Sequence, residues 1–321
     1  MRGDSIKPSN GALELVRLIP LMERTQGRPD LVIALIDGPI AGGIPALPAE
    51  RIRVAPRAPG TACMEANSVA CQHGTLIAGV LIADRSSPAP AICPGCTLLV
   101  RPIFPEHTAG SDAAPSASPE QLVDALIFSE VRSGEQGMPG ATAEALAAAI
   151  VDCIAGGARI LNLSLAVLRA SAGGERDLAL ALDEAARRGV LVVAAAGNQG
   201  TLGSTSLTRH AWVIPVVGCD LQGRVLEVSN LAASFGQRGL SAPGEGITSF
   251  EPGGALIVSG GTSVAAPFVT GAAALLWSEH PRASAAAIKL ALTRRSEASR
   301  RRLVPPLLDA WGAYQFIQSA R

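Results

Sequence analysis

The second half of the chain alternates between apolar segments of strand length and segments with helical periodicity. Residues 160–165, 190–195 and 212–218 are predicted strands, and residues 177–188 form a predicted helix between the first two. These strands are mainly apolar, which is typical of strands that are buried on both faces of a parallel sheet. The pattern predicts a three-layer α/β fold, in which helices cover both faces of a mainly parallel central sheet.

The first half of the chain and its C-terminal part contain the same kinds of segment. Further strands are predicted at residues 31–36 and 97–104, and further helices at 11–23, 73–83, 142–154, 264–279 and 284–293. No linker and no internal repeat is evident. We therefore predict a lead-in helix within residues 1–30, followed by one domain at residues 31–321. Residues 105–118 are predicted to be a loop rich in Ala, Ser and Pro, followed by a helix at 119–132.

Composition narrows the possible classes of protein. Almost half of the 321 residues are apolar, which is enough for a large core, and 27 basic residues balance 27 acidic ones. The balance gives no electrostatic reason to expect binding to nucleic acid or to an anionic membrane. No apolar stretch reaches the ~20 residues of a membrane span, and the N-terminal sequence lacks the features of a signal peptide. We expect a cytoplasmic protein.

Four of the six cysteines, Cys63, Cys71, Cys93 and Cys96, lie close together in the sequence. They could form disulfides, remain free thiols or bind zinc. Only one pair has Cys-x-x-Cys spacing, so we predict disulfides or free thiols and no metal. Disulfides would be unusual in a reducing cytoplasm. The other two cysteines, Cys153 and Cys219, lie in apolar segments and are predicted to be buried.

A glycine pair precedes a serine within the segment VSGGTSVAAPFVTGAAA at residues 258–274. The small residues after Ser263 can form a tightly packed helix, with Pro267 expected in its first turn. Ser263 would then lie at a helix N-terminus, where free N–H groups and the helix dipole can stabilise an anion that forms at a carbonyl under attack. The alternative is an N-cap serine without a catalytic role.

Two further side chains are predicted at the same edge of the sheet. Asp37 ends the first strand, and His73 begins a helix. In parallel α/β sheets, functional groups gather at the carboxyl ends of strands and at the N-termini of the helices that follow. Asp37 could instead be a turn residue, and His73 a helix cap. Together with Ser263, however, they provide the base that a hydroxyl nucleophile needs and the carboxylate that orients that base.

Asn198 follows a predicted buried strand in the segment AAAGNQG. Its amide could donate a hydrogen bond to the oxyanion beside the N–H of Ser263, and the loss of one such donor typically costs about 3 kcal/mol of transition-state stabilisation. A Gly-Asn turn is the alternative for this motif in isolation.

Six segments between residue 31 and about residue 294 resemble the motifs of subtilisin-like serine proteases, the subtilases. They are LIDG at Asp37, HGTLIAG at His73, LNLSL, AAAGN at Asn198, SAPGEGI and GTSVAAPFVTGAAALL at Ser263. The resemblance implies that Ser263 is the nucleophile, His73 the general base, Asp37 its orienting acid and Asn198 the oxyanion donor. It also implies a cleft that binds a peptide or protein substrate as an added strand. The cleft residues would be Leu163, Ser164, Leu165 and Ala166 on one side, and Ala194, Ala195, Ala196 and Gly197 on the other.

The chain departs from the common subtilase motifs at several positions. Gly38 and Pro39 follow the acid, Leu76 replaces the second histidine of HGTH, and Ala266 and Phe268 replace Ser and His in the serine motif. None of these changes removes a catalytic atom, but each changes the packing around the triad. The segment after His73 also lacks the Asn/Asp-rich loop of a calcium site, so we expect neither calcium there nor any other cofactor.

DGP after the first strand, PGCTLLVRPIF, SAPGE and a start without a prodomain are similar to the proteases that mature cyanobactin-type ribosomal peptides. This resemblance implies removal of a leader from a precursor peptide. An ordinary intracellular subtilase with varied substrates is the alternative. A transamidating macrocyclase and a peptide-binding pseudoprotease are further alternatives. Relative to the family, residues 105–140 are an insertion. This insertion either lies over the cleft and narrows substrate choice or has no functional consequence.

Overall fold

The computed structural model describes residues 10–58, 63–89, 91–104, 140–167, 171–294 and 303–319. Its centre is a seven-stranded sheet of order β2-β3-β1-β5-β7-β8-β9, in which every neighbouring pair is parallel. The strands are β1 (Val32–Asp37), β2 (Ile52–Val54), β3 (Thr97–Pro102), β5 (Ile160–Leu163), β7 (Leu191–Ala195), β8 (Val213–Cys219) and β9 (Leu240–Pro243). The predicted α/β fold with a mainly parallel sheet is confirmed.

Two small sheets accompany the central one. β10 (Ile247–Phe250) and β11 (Leu256–Ser259) form an antiparallel hairpin, and β4 (Gly140–Ala141) pairs in parallel with β6 (Ala166–Val167).

The helices cover both faces of the central sheet. They are α1 (Asn10–Leu15), α2 (Ile19–Arg24), α3 (Val69–Ile82), α4 (Ala143–Ala155), α5 (Ala172–Arg188), α6 (Ser206–Arg209), α7 (Phe235–Arg238), α8 (Thr262–Glu279), α9 (Ala285–Thr293) and α10 (Ala310–Ser319), with a 3-10 turn at Ala49–Arg51. Alternate residues of β1 divide between two hydrophobic clusters. Ile33 and Leu35 pack with α3 and α8, whereas Ala34 and Ile36 pack with α4 and α5. β1 is thus buried on both faces, which explains its unbroken apolar run from Val32 to Ile36.

Helix α8 is buried along its length, from Thr262 to Ser278. Its small residues allow close packing, most clearly at Gly271, where an added Cβ would lie 2.5 Å from Cγ2 of the buried Ile92. Pro267 is the sixth residue of this helix, not a residue of its first turn as predicted. The prediction was wrong because the helix begins at Thr262, directly after the glycines.

Other predicted helix and strand boundaries also differ from the structure; the helix predicted at 177–188, for example, begins at Ala172. The lead-in helix predicted at residues 11–23 is two short helices, α1 and α2, because Arg17 adopts a left-handed conformation with φ 53° and Pro20 lies in the first turn of α2. His73 is the fifth residue of α3, since Ser68 caps that helix by accepting a hydrogen bond from the N–H of Cys71. The strand predicted at 160–165 ends at Leu163. The helix predicted at 119–132 lies outside the described residues.

The cysteines adopt two states. Cys63 and Cys71 form a disulfide that joins the segment before α3 to its first turn. Cys93, Cys96, Cys153 and Cys219 are free and buried. Burial raises the pKa of Cys153 and that of Cys219 to about 12, so both thiols are neutral at physiological pH.

The long hydrophobic helix α8 is buried in the core of the domain. None of the helices in the described part of the chain has the length and hydrophobicity of a membrane span.

Gly271→Ala tests the close packing of α8 against Ile92. We expect the free energy of unfolding to fall by roughly 1–3 kcal/mol, because a methyl group at this position overpacks the core. The measurement is urea denaturation followed by circular dichroism. Gly173→Ala is the matched control on α5, where the nearest atom, Oγ of Ser171, would be 3.7 Å from the new Cβ. It should leave the stability unchanged or raise it by up to about 1 kcal/mol. Equal stability of the two variants would contradict the close approach.

Candidate active site

Three neighbouring strands of the central sheet, β1, β5 and β7, end at the same edge. Asp37 is the last residue of β1, Ser164 follows the last residue of β5, and Asn198 lies three residues beyond β7. Because parallel strands place their carboxyl ends side by side, these residues come together although they are far apart in the chain.

A short contact joins Asp37 to His73. Oδ1 of Asp37 lies 2.6 Å from Nδ1 of His73 and also accepts the N–H of Gly38 at 2.7 Å. The carboxylate is fully buried. Since an ionised carboxylate only accepts hydrogen bonds, Nδ1 carries the proton, which leaves Nε2 of the neutral ring as an acceptor. This is the orientation that a general base needs.

The glycines beside Asp37 and His73 allow α3 to approach the turn after β1. A Cβ on Gly38 would lie 1.8 Å from the carbonyl oxygen of Ala70, and one on Gly74 would lie 2.4 Å from that of Pro39. Thr75 adds a hydrogen bond from the N–H of Ala41 to its own Oγ1 at 2.9 Å. The glycines of the DGP and HGT motifs are therefore required for the contact between Asp37 and His73.

Ser263 is the second residue of α8 and is buried. The N-cap, Gly261, has φ 101°, a conformation that favours glycine, and it offers no side-chain acceptor to the helix N-terminus. The N–H of Ser263 is one of the first four of the helix, which have no partner within the helix. It is thus free of a partner within the helix, and its role as a donor to an anion stays a prediction.

Nε2 of His73 is buried and has no hydrogen-bond partner among the described residues, so it is not bonded to the hydroxyl of Ser263. Catalytic hydrogen bonds are often long without substrate and shorten when it binds. Asp37 and His73 are thus in contact in the structure, whereas Nε2 of His73 has no hydrogen bond to any described protein group.

The side-chain amide of Asn198 has a fixed orientation. Its Oδ1 accepts hydrogen bonds from the N–H and from Oγ1 of Thr262, each at 2.9 Å. Oγ1 of Thr262 in turn accepts the N–H of Gly197 at 3.1 Å. With Oδ1 engaged in this way, Nδ2 of Asn198 is left as a donor without a partner among the described residues. An oxyanion-hole donor requires this arrangement.

Five of the eight predicted cleft residues, Leu163, Leu165, Ala194, Ala195 and Ala196, pack in hydrophobic clusters. Each of these whole residues is at most 3% exposed, so little of their surface, backbone included, is open to a peptide. The backbone of Ala166 pairs with that of Gly140, and Gly197 is buried with φ 103°. Ser164 is also buried, and its hydroxyl bonds to the carbonyl oxygen of Ser263.

Sequence reasoning missed two residues that organise the site. Thr262 adjoins Ser263 in the GTS motif, and this proximity was the only available signal for it. Asn230 lies in a loop without a recognisable motif. Its Oδ1 accepts hydrogen bonds from the N–H groups of Gln199 and Thr201. Its Nδ2 donates to the carbonyl oxygen of Ala196, and its backbone N–H donates to the carbonyl oxygen of Gly197. Asn230 thus shapes the loop that carries Asn198.

The model of the subtilase family, Peptidase_S8, matches residues 60–310 of the chain. Subtilisin E of Bacillus subtilis (strain 168) is 38% identical over 126 residues, which are 38% of this chain and 31% of that protein. Thermostable alkaline protease of Halalkalibacterium halodurans is 36% identical over 126 residues, 38% of this chain and 32% of that protein. The matched segment thus spans about a third of the length of these curated relatives.

Solved structures match over much more of the chain. A mutant of the protease domain of PatA has a TM-score of 0.72 and 26% identity, covering 92% of this chain and 98% of that chain. Prenylagaramide maturation protease PagA has a TM-score of 0.70 and 26% identity, covering 93% of this chain and 98% of that chain. The PatG macrocyclase in complex with peptide has a TM-score of 0.71, covering 93% and 94%, but its 18% identity shows a shared fold alone.

Asp37→Ala tests whether the carboxylate fixes the protonation of His73. We expect neutral His73 in the wild type to carry its proton on Nδ1, and the variant to hold a mixture of both tautomers because Nδ1–H loses its acceptor. The measurement is 15N NMR of histidine-labelled protein, which contains only four histidines. Asp183→Ala is the control, since Asp183 contacts Nε2 of another histidine, His210, at 3.2 Å. Identical His73 spectra in wild type and Asp37→Ala would contradict the assignment.

Proposed function

The chain belongs to the subtilase family, and we propose that it is a serine endopeptidase with Asp37, His73 and Ser263 as its catalytic triad. The observation that carries the proposal is the buried contact of 2.6 Å between Asp37 and His73. This contact fixes the tautomer in which Nε2 can take a proton. The free N–H at the start of α8 and the oriented amide of Asn198 support the same assignment.

In the proposed reaction, Oγ of Ser263 attacks the carbonyl carbon of the peptide bond while Nε2 of His73 takes its proton. The oxyanion accepts hydrogen bonds from Nδ2 of Asn198 and the N–H of Ser263. The C–N bond then breaks, and the leaving amine takes the proton from His73, which leaves an ester on Ser263. Water attacks this ester with His73 again as base, and the acid product leaves as Oγ regains the proton.

We propose a peptide substrate that binds in an extended conformation beside β6. One edge of β6 is already paired with β4, so a peptide strand would use the opposite edge. A strand added at this edge makes main-chain hydrogen bonds as its principal contacts.

We further propose that the substrate is a ribosomal precursor peptide from which a leader is removed. The support is the similarity to PagA, which is described as a prenylagaramide maturation protease, and to the PatA protease domain, each at 26% identity over more than 90% of both chains. The cytoplasmic location and the division into residues 1–30 and 31–321 stay predictions of the sequence.

A fluorophosphonate probe followed by intact mass measurement tests the proposal most directly. We expect one phosphonyl group on the wild type, located on Ser263 by peptide mapping, and none on a folded Ser263→Ala variant. Precursor peptides with a leader should then yield two fragments whose combined mass exceeds that of the substrate by one water. A cyclic product without added water would show a macrocyclase instead. An unlabelled wild type would contradict the proposed activity.

Asn198→Ala tests the role of Asn198 as an oxyanion donor. We expect kcat to fall by about 10²- to 10³-fold with little change in KM, because the lost hydrogen bond forms mainly in the transition state. The measurement is steady-state hydrolysis of a fluorogenic peptide. The control, Gln222→Ala, shortens an exposed amide side chain in a turn after β8 and should leave both constants unchanged. A change in KM alone would assign Asn198 to substrate binding and contradict the oxyanion role.

A further inference from the structure

The carbonyl group of Ser263 lacks its usual partner within helix α8. In an α-helix, this oxygen would accept the N–H of the residue four positions later, which here is Pro267. Proline has no N–H, and its ring pushes the carbonyl of the residue four positions earlier away from the helix axis. The nucleophile therefore lies on a turn of helix that lacks one of its backbone hydrogen bonds.

Ser164 supplies the missing donor from outside the helix. Its Oγ lies 2.8 Å from the carbonyl oxygen of Ser263, and Ser164 is fully buried. A buried carbonyl without a partner is destabilising, so this hydrogen bond compensates for the proline. It also joins the end of β5 directly to the residue that carries the nucleophile.

Two more buried side chains continue the network. Nδ2 of Asn162 donates to Oγ of Ser164 at 2.9 Å, and Oγ1 of Thr270 donates to Oδ1 of Asn162 at 2.8 Å. Asn162 and Thr270 are fully buried. The network begins and ends on α8, because Thr270 lies two turns after Ser263.

Hydrogen-bond chemistry fixes the direction of every bond in this network. The carbonyl of Ser263 can only accept, so the single hydroxyl proton of Ser164 must point to it. Oγ of Ser164 then accepts from Asn162, whose amide must present its NH2 group to Ser164 and its oxygen to Thr270. Thr270 must therefore donate. The removal of any member leaves a buried polar group without a partner.

We infer that Ser164, oriented by Asn162 and Thr270, is a positioning residue that holds the backbone of Ser263 for attack. This inference rests on the proposed function and deepens it. Ser164 does not touch the reacting atoms; it fixes the peptide plane after Ser263. Displacement of a reacting group by about 1 Å can cost about 10²-fold in rate, so a small shift of this turn is enough to impair catalysis.

The test measures the second-order rate constant for phosphonylation of Ser263 by a fluorophosphonate, with thermal unfolding recorded for each variant. We expect Ser164→Ala to react about 10- to 100-fold more slowly than the wild type. The rate constant of Thr270→Val should lie between those of the wild type and Ser164→Ala. This variant removes the donor to the amide of Asn162 but keeps the hydroxyl of Ser164. With a peptide substrate, kcat should fall while KM stays nearly unchanged, at a temperature well below the melting temperature of each variant, where the whole population is folded.

Ser278→Ala is the matched control on the same helix. Oγ of Ser278 also donates to a carbonyl of α8, that of Ala274, at 2.8 Å. That carbonyl still has the N–H of Ser278 as its helical partner. The control should thus react at the wild-type rate, even where its melting temperature falls as much as that of Ser164→Ala.

Rescue by Pro267→Ala distinguishes positioning from loss of stability. An alanine at this position restores the N–H that can bond the carbonyl of Ser263. The double variant Ser164→Ala with Pro267→Ala should therefore react within about threefold of Pro267→Ala alone, since a helical backbone hydrogen bond replaces the one from the Ser164 hydroxyl. A double variant no faster than Ser164→Ala would overturn the inference, as would wild-type reactivity of Ser164→Ala. An unlabelled wild type would instead refute the proposed function.

Discussion

Hydrogen bonds hold the N-terminus of α8 against the carboxyl ends of β5 and β7, and the rest of the site depends on this attachment. Thr262 binds the side chain of Asn198, and the carbonyl of Ser263 binds Ser164. The same bonds that fix the serine also orient the amide beside it. Donors that are oriented before the reaction need no reorganisation as charge develops, which is why such sites stabilise oxyanions better than water does.

A separate attachment places the base. Helix α3 can approach the turn after β1 only because Gly38 and Gly74 have no side chain, and the contact between Asp37 and His73 follows from that approach. Both attachments rest on neighbouring strands of one sheet, whose buried core resists deformation. Residues far apart in the chain therefore share one rigid frame. Nε2 of His73 has no hydrogen bond to Ser263 in the structure, so the proposed reaction requires a rearrangement that forms one.

The sequence predicted the parallel sheet and the strands at whose ends Asp37, Ser164 and Asn198 lie, because period and polarity reflect local burial. It also placed Ser263 at a helix N-terminus, from the glycines and small residues around it. The boundaries of α3 and α8 were less predictable, since a helix start depends on one cap such as Ser68. The bond between Ser164 and Ser263 was not predictable, because it joins distant residues and arises from Pro267, whose effect depends on the helix start. Asn230 was missed for the same reason: its partners are backbone groups of a distant loop.

The central claim is that the N–H of Ser263 and Nδ2 of Asn198 form one anion site above the nucleophile. A crystal structure of the phosphonylated protein measures this directly. We predict that phosphorus is bonded to Oγ of Ser263, with the phosphonyl oxygen about 2.7–3.1 Å from both donors and Nε2 of His73 facing the adduct. A phosphonyl oxygen directed into solvent, or an adduct on another residue, would contradict the account.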